Sequence, residues 1–394
     1  MRVCLVYGDY PPKPIGQQDG GADFVASLAE RLVERGVLVT VVVSRRDDRQ
    51  TPYVTETGVR VIPLITNWTL WGAARGELGR LKEALAVQQP DVVHLVYPDP
   101  YLRYGSDSYH LPFLLKLAGA QRLLVTFFGF GVTRASLITK FGLITLFAGA
   151  DRIVITDLGL LDRFRRTFAF WAEKASHGFV GGITSNQTAR WSVSALGERR
   201  AELRLPTQAK LVAFFGFWSP DKGLEDLIGA IARLRADGET ITLVLIGGRE
   251  PALRTDYERT IQTLIASHGL ENAVIQTGPL SPQAVADYLL AVNVCVLPFH
   301  ANPLGRSSLA IGLSLGVPLI VSRPPRGEDL LSGLVLVDPK NLNSLAVAIR
   351  EVLSNPDKQA RVGAAAAKAS AHWSWNSIVD AYVAEYRRLT GVLE

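Results

Sequence analysis

Short, continuous runs of β-branched and aliphatic residues recur along this chain with amphipathic stretches between them, and that alternation constrains the fold more than any other feature. The first run is Val3–Tyr7, followed by a loop rich in Pro and Gly, Tyr10–Gly21. A helical pattern follows with Phe24, Val25, Leu28, Leu32 and Val33 on one face, stopped by Gly36, and then comes the run Val37–Ser44. Strands that are apolar on both faces must be covered on both faces, as in a parallel sheet between helices.

The pattern continues with strands at Val59–Leu64, Asp91–Tyr97, Arg122–Phe127 and Arg152–Thr156, and helices at Arg75–Gln88, Leu111–Ala118 and Ala135–Ala148. It is lost over Gly181–Pro206. A second alternation sets strands Lys210–Phe215, Ile241–Ile246, Val274–Thr277, Val294–Phe299, Leu319–Ser322 and Leu334–Val337 against helices Gly223–Asp237, Tyr257–His268, Pro282–Ala291 and Ser307–Leu315. Asn343–Glu394 reads as helical. The fold class expected is α/β, with two Rossmann-like doubly wound domains facing a cleft. The boundaries expected are 1–190 for an N-terminal acceptor-side domain, 191–207 for a linker, 208–374 for a C-terminal donor domain, and 375–394 for a helix packing back on the first. A chain of 394 residues exceeds what one core comfortably serves.

Composition excludes several classes. With 48% apolar and 20% charged residues the chain is globular rather than disordered. The two cysteines, Cys4 and Cys295, fall in strands of different halves, which argues against a disulfide and for a cytoplasmic protein. No secretion signal is read at the N-terminus. The longest apolar stretch, Leu137–Ala150, is broken by Lys140 and is too short to span a bilayer. With Arg134, Lys140 and Arg152 it keeps a peripheral contact with an anionic membrane open, although a core helix fits it better. The net charge of +5 is carried by scattered arginines without interleaved aromatics, so nucleic acid is not an expected partner. The histidines and cysteines show no metal-ligand spacing.

In open α/β sheets ligands bind at the carboxyl ends of strands, so the loops there carry the candidates. On the acceptor side, Gly20 and Gly21 open a helix and let backbone approach a ligand, and His94 ends a strand. A histidine in an apolar run is more often a hydrogen-bonded core residue. The donor-side candidates are Gly216, Lys222, His300, Arg306, Ser307 and Ser308. Lys222 lies at a helix entry, where an ammonium opposes the dipole unless an anion lies between them. In His300-Ala-Asn-Pro-Leu-Gly-Arg-Ser-Ser308, Ser307 or Ser308 is the expected N-cap and Arg306 offers a planar fork for phosphate oxygens, with no acid nearby in sequence to pair with it.

The ordered set of Gly20-Gly21, Asp91-Val-Val-His94, Ala150-Asp-Arg-Ile-Val154, Gly216–Gly223, Thr277-Gly278, Val294–Phe299, Gly316-Val-Pro318 and Trp373-Ser-Trp375 resembles the retaining GT-B-fold glycosyltransferases of the family-four or group-one type, over nearly the whole chain. The resemblance implies transfer of a sugar from a nucleoside diphosphate sugar to an acceptor hydroxyl, with retention and without metal or cofactor. The acceptor would be a glycan, a lipid-linked compound or a small molecule. Three positions depart from the pattern. Pro303 and Ile311 stand where the family usually has two glutamates, Phe217 where it has a donor-site arginine, and Phe128 where it often has a histidine. Catalytic residues are therefore not assigned, and the alternative to a transferase is a catalytically silent subunit that binds a nucleotide sugar or a partner protein.

Overall fold

The computed structural model describes residues 1–11, 20–45, 50–65, 76–97, 109–128, 137–181, 193–248 and 256–391. The chain forms two compact units. One comprises Met1–Pro14, Gln18–Phe179 and Trp375–Glu394, and the other contains Val180–Ser374.

The first unit runs β1 (Arg2–Val6), α1 (Gly20–Glu34), β2 (Leu38–Ser44), β3 (Tyr53–Val54), β4 (Arg60–Ile65), α2 (Leu78–Gln88), β5 (Val92–Tyr97), α3 (Leu111–Leu117), β6 (Leu123–Phe127), α4 (Leu137–Gly149), β7 (Arg152–Ile155), α5 (Leu158–Thr167) and β8 (Ala175–His177). Its sheet has the order β3-β4-β2-β1-β5-β6-β7-β8. Every pairing is parallel except β3 with β4. β5 and β6 are buried along their whole length, which explains their unbroken apolar runs.

The second unit runs α6 (Val193–Glu202), β9 (Lys210–Phe215), α7 (Leu224–Ala236), β10 (Ile241–Ile246), α8 (Tyr257–Ser267), β11 (Val274–Gly278), α9 (Pro282–Ala291), β12 (Val294–Leu297), α10 (Ser307–Ser314), β13 (Leu319–Ser322), β14 (Val335–Val337), α11 (Leu342–Ser354) and α12 (Pro356–Ala369). The sheet order is β11-β10-β9-β12-β13-β14, parallel throughout. The last helix, α13 (Trp375–Thr390), belongs to the first unit and buries Trp375, Ile378, Val379, Tyr382 and Tyr386 there.

The stretch expected as a linker, 191–207, carries α6 instead. This helix is held to the rest of the second unit by carbonyls just after it and by polar groups of the distant stretch 287–293. The Arg200 guanidinium donates to the carbonyls of Ala291 (2.8 Å), Thr207 (3.2 Å) and Ala209 (3.3 Å) and to Asn293 Oδ1 (3.1 Å). Arg199 pairs with Asp287, and Tyr288 Oη donates to the carbonyl of Leu203 at 3.2 Å. The short strands β3 and β8 and the helix α5 also escape the sequence pattern. α5 starts where Asp157 Oδ1 accepts the Leu160 amide at 2.7 Å, and it buries only Leu161 and Phe164.

Candidate functional site

The order of the second sheet places its switch point between β9 and β12. From β9 the chain steps outward through β10 to β11, then returns to β12 and steps the other way to β13 and β14. The loops leaving β9 and β12 therefore diverge and leave a crevice at the carboxyl edge. These are the loops that contain Gly216–Gly223 and Phe299–Ser308.

Three contacts lock the two loops together. The His300 amide donates to the Asp221 carbonyl at 2.9 Å. His300 Nε2 lies 2.7 Å from Oδ2 of Asp226, in the first turn of α7. Gly223 adopts φ +68°, and a Cβ there would stand 2.0 Å from the Pro298 carbonyl oxygen, so only glycine permits this approach. On the other side of β9, the Gly216 amide donates to Ile246 O (3.0 Å) and the Trp218 amide to Gly248 O (2.8 Å). Gly247, at φ +114°, passes so close that a Cβ would lie 2.3 Å from Gly216 O.

Within this frame the two cations of the site converge on one ring. Lys222 Nζ lies 5.1 Å and Arg306 Cζ 5.8 Å from the centroid of Phe299. The expectation that a carboxylate partner is the weaker reading of Arg306, because no acid lies near it in sequence, is overturned: Asp221 comes from the neighbouring loop and its Oδ2 is 2.8 Å from Arg306 Nη2. Ser219 Oγ donates to Asp221 Oδ1 at 2.6 Å. Burial alone would raise the Asp221 carboxyl, but Arg306, Lys222 and the Ser219 hydroxyl outweigh it and hold the group below the usual carboxylate range.

Arg306, rather than Ser307 or Ser308, is the N-cap residue of α10, with its carbonyl accepting the amides of Leu309 (3.1 Å) and Ala310 (3.2 Å). The serines thus fall one and two positions inside the helix, where their amides have no intrahelical acceptor. Ser307 is exposed. Ser308 is 5% exposed and, among the described residues, its hydroxyl has no hydrogen-bond partner. Gly216 opens the space in front of it, since a Cβ on Gly216 would lie 4.0 Å from Ser308 Oγ. The arrangement joins two side-chain cations, a helix N-terminus and a waiting hydroxyl, a set suited to phosphate oxygens.

Gly216, Lys222, His300, Arg306, Ser307 and Ser308 are thus gathered at one edge. His300 serves the loop-to-loop lock through Asp226. Sequence reasoning missed Asp221, Asp226 and Phe299, whose only local signal was an acid directly before Lys222. Pro303 and Ile311 are buried, and Phe217 is half-buried.

In the first unit, the Tyr7 side chain packs against Gly21, where a Cβ would meet Tyr7 Oη at 2.0 Å and force that ring to move, whereas nothing lies within 4 Å of a Cβ on Gly20. The loop before them, 12–19, lies outside the described residues. His94 does not face an open site. It is fully buried, with Nδ1 2.7 Å from Tyr386 Oη and Nε2 2.8 Å from Thr126 Oγ1, and Thr126 Oγ1 is 2.8 Å from Tyr382 Oη. Burial pushes its pKa down to about 3, so the ring is neutral and serves to seat α13. Phe128 packs edge-on against Phe24 at 5.3 Å.

Leu143, Leu146 and Phe147 of α4 join the core, and Arg152 is engaged by Glu385 at 2.8 Å rather than left at a surface. Arg134 and the Lys140 side chain lie outside the described residues. Among the described residues no helix is long and apolar enough to cross a membrane, and no three His, Cys, Asp or Glu side chains are grouped to hold a metal. Both cysteines are free and buried.

Comparison with known proteins agrees with this frame. Residues 197–369 match the family model described as glycosyl transferases group 1, and residues 19–177 match the glycosyl transferase 4-like domain. A GDP-mannose-dependent α-(1-6)-phosphatidylinositol monomannoside mannosyltransferase of Mycobacterium tuberculosis is 24% identical, covering 98% of both chains. A D-inositol 3-phosphate glycosyltransferase of Acidothermus cellulolyticus is 26% identical over 98% of this chain and 90% of its own. Among solved structures, sucrose-phosphate synthase from Thermosynechococcus elongatus superposes with a TM-score of 0.80 at 22% identity, covering 100% of both chains. Anabaena HepE in complex with UDP and glucose gives 0.76 at 17% identity, covering 99% of this chain and 100% of its own.

Proposed function

The chain belongs to the group-one glycosyltransferases, a GT-B-fold family, and from that premise we propose that its second unit holds a nucleoside diphosphate sugar at the β9–β12 switch point and transfers the sugar to an acceptor hydroxyl. The observation that carries this reading is the convergence of Lys222 and Arg306 over Phe299, beside the N-terminus of α10 and the unpartnered Ser308 hydroxyl.

In transfer, the bond between the anomeric carbon and the diphosphate oxygen breaks, and the electron pair stays on the diphosphate. The acceptor oxygen bonds the anomeric carbon, and its proton passes to the leaving phosphate. Charge therefore grows on the diphosphate as the reaction proceeds. Fixed cations and amides aimed at it are worth more in the transition state than in the ground state. Lys222 and Arg306 fill the role that a divalent cation plays in other transferases, so the reading includes metal-independent turnover without a cofactor; retention at the anomeric carbon is part of the reading through the family resemblance alone.

The named relatives act on inositol-containing acceptors. They support a polyol hydroxyl, on a lipid headgroup or a small molecule, as the acceptor class here. An acceptor on a lipid headgroup would bring the protein to a membrane surface.

Titration with GDP, UDP and their sugars, followed by transfer assays, tests the reading. A ligand at 100 times its Kd stabilises the protein by about 2.7 kcal/mol. Arg306→Ala is expected to lower transfer by two or more orders of magnitude, and near-normal turnover of that variant would sink the assignment. Chelator is expected to leave turnover unchanged.

A further inference from the structure

The donor site contains a carboxylate that a plain diphosphate cradle has no need of. Asp221 lies beside both cations, its Oδ2 on Arg306 and its Oδ1 held by Ser219 Oγ, while its backbone carbonyl is fixed by the His300 amide. The side chain is 40% exposed, so the charge stands at the mouth of the site and is not sealed beneath it. Among the described residues, Lys222, Arg306 and Asp221 together carry a net charge of +1, where the two cations alone would carry +2.

The two ligands that alternate in such a site differ in charge. In a nucleoside diphosphate sugar each phosphate has one ester and one anhydride link and carries one negative charge. After transfer the terminal phosphate is a monoester-like group carrying roughly −1.5 to −2 near neutral pH. Extra negative charge on the product is opposed by a fixed carboxylate more strongly than the donor is. We propose that Asp221 is a charge-selecting residue of the donor site, which weakens the hold of Lys222 and Arg306 on the product nucleoside diphosphate relative to the donor sugar and so promotes exchange of product for donor. The proposal rests on the donor-site reading above and adds to it the direction in which the site discriminates.

The test compares wild-type protein with Asp221→Asn and Asp221→Ala. Dissociation constants for GDP, UDP and the corresponding glucose and mannose conjugates are measured by calorimetry, alongside product inhibition of turnover. Neutralising the carboxylate is expected to tighten nucleoside diphosphate binding by about three- to tenfold and nucleotide-sugar binding by no more than about twofold, with the gap closing in 1 M salt. Product inhibition rises accordingly. Weaker binding of both ligands would overturn the proposal and leave Asp221 as an orienting partner of Arg306. An equal change for both ligands would overturn it as well. If wild-type protein binds no nucleoside diphosphate, or if Arg306→Ala and Lys222→Ala bind as tightly as wild type, the donor-site reading fails and takes this one with it.

Discussion

At the scale of single residues, the site depends on positions whose roles come from partners far away in sequence. Gly223 is the sharpest case, because both its left-handed backbone and the 2.0 Å approach to Pro298 O bar a side chain. Gly223→Ala is expected to cost at least about 1–3 kcal/mol in the second unit, measured by denaturant unfolding, and to lower donor affinity by separating the loops. Gly247→Ala, which would drive a methyl to 2.3 Å from Gly216 O, should behave alike. Ser308→Ala makes the opposite kind of prediction. Its hydroxyl has no partner among the described residues, so stability should hold or rise slightly while nucleotide binding weakens severalfold. Unchanged binding would remove Ser308 from the site.

Among the elements, α13 shows how a helix is assigned to a core. Its apolar face reads directly from the spacing of Trp375, Ile378, Val379, Tyr382 and Tyr386, but the hydroxyls on that face determine where it docks. Tyr386 and Tyr382 reach His94 and Thr126 on adjacent strands β5 and β6, and Glu385, only 6% exposed, meets Arg152 of β7. Tyr386→Phe leaves His94 Nδ1 buried without that partner, a loss of about 1–3 kcal/mol. If the variant unfolds at the same denaturant concentration as wild type, water or rearrangement has replaced the bond. α6 makes the same point from the other direction. Its own apolar pattern is too weak to announce a packed helix, and Arg200, bonded to the carbonyls of Thr207 and Ala209 just after the helix and of the distant Ala291, anchors it.

For the molecule as a whole, two consequences follow. Removing the chain from Trp375 onward strips five buried aromatic and aliphatic side chains from the first unit, each worth about 1.5–3 kcal/mol, a sum comparable to the whole stability of a domain. The truncated protein is expected to lose cooperative unfolding in that unit, seen by limited proteolysis. The second consequence concerns pH. His94 titrates at about 3 in the folded protein against an ordinary value of about 6.5, and burial lowers His177 in the same direction. Below pH 6.5 the unfolded chain takes up protons that the folded chain refuses, so the stability is fully present above that pH and is lost as pH falls toward 3. The slope is up to about 1.4 kcal/mol per pH unit for each group, so His94 alone accounts for about 2 kcal/mol between pH 6.5 and 5. His94→Gln should flatten this slope, and an equal slope in variant and wild type would contradict it.

The repeated alternation of buried runs and amphipathic stretches was enough to determine two parallel α/β units, because each strand and helix shows its burial in the period of its own residues. Lys210–Phe215, Ile241–Ile246, Pro282–Ala291 and Leu319–Ser322 coincide with the observed elements for that reason. The same logic pointed to the loops after β9 and β12, and to Lys222 and Arg306 within them. Tertiary structure alone decided what those residues touch. It placed Asp221 on Arg306, turned the serines of α10 from caps into first-turn donors, withdrew His94 into the core and made a packed helix of the presumed linker. The cap of α10 was settled by local bonds of the Arg306 carbonyl to Leu309 and Ala310, but the other three depend on an ion pair or hydrogen bond between segments distant along the chain, and such contacts leave no periodic trace in the order of residues.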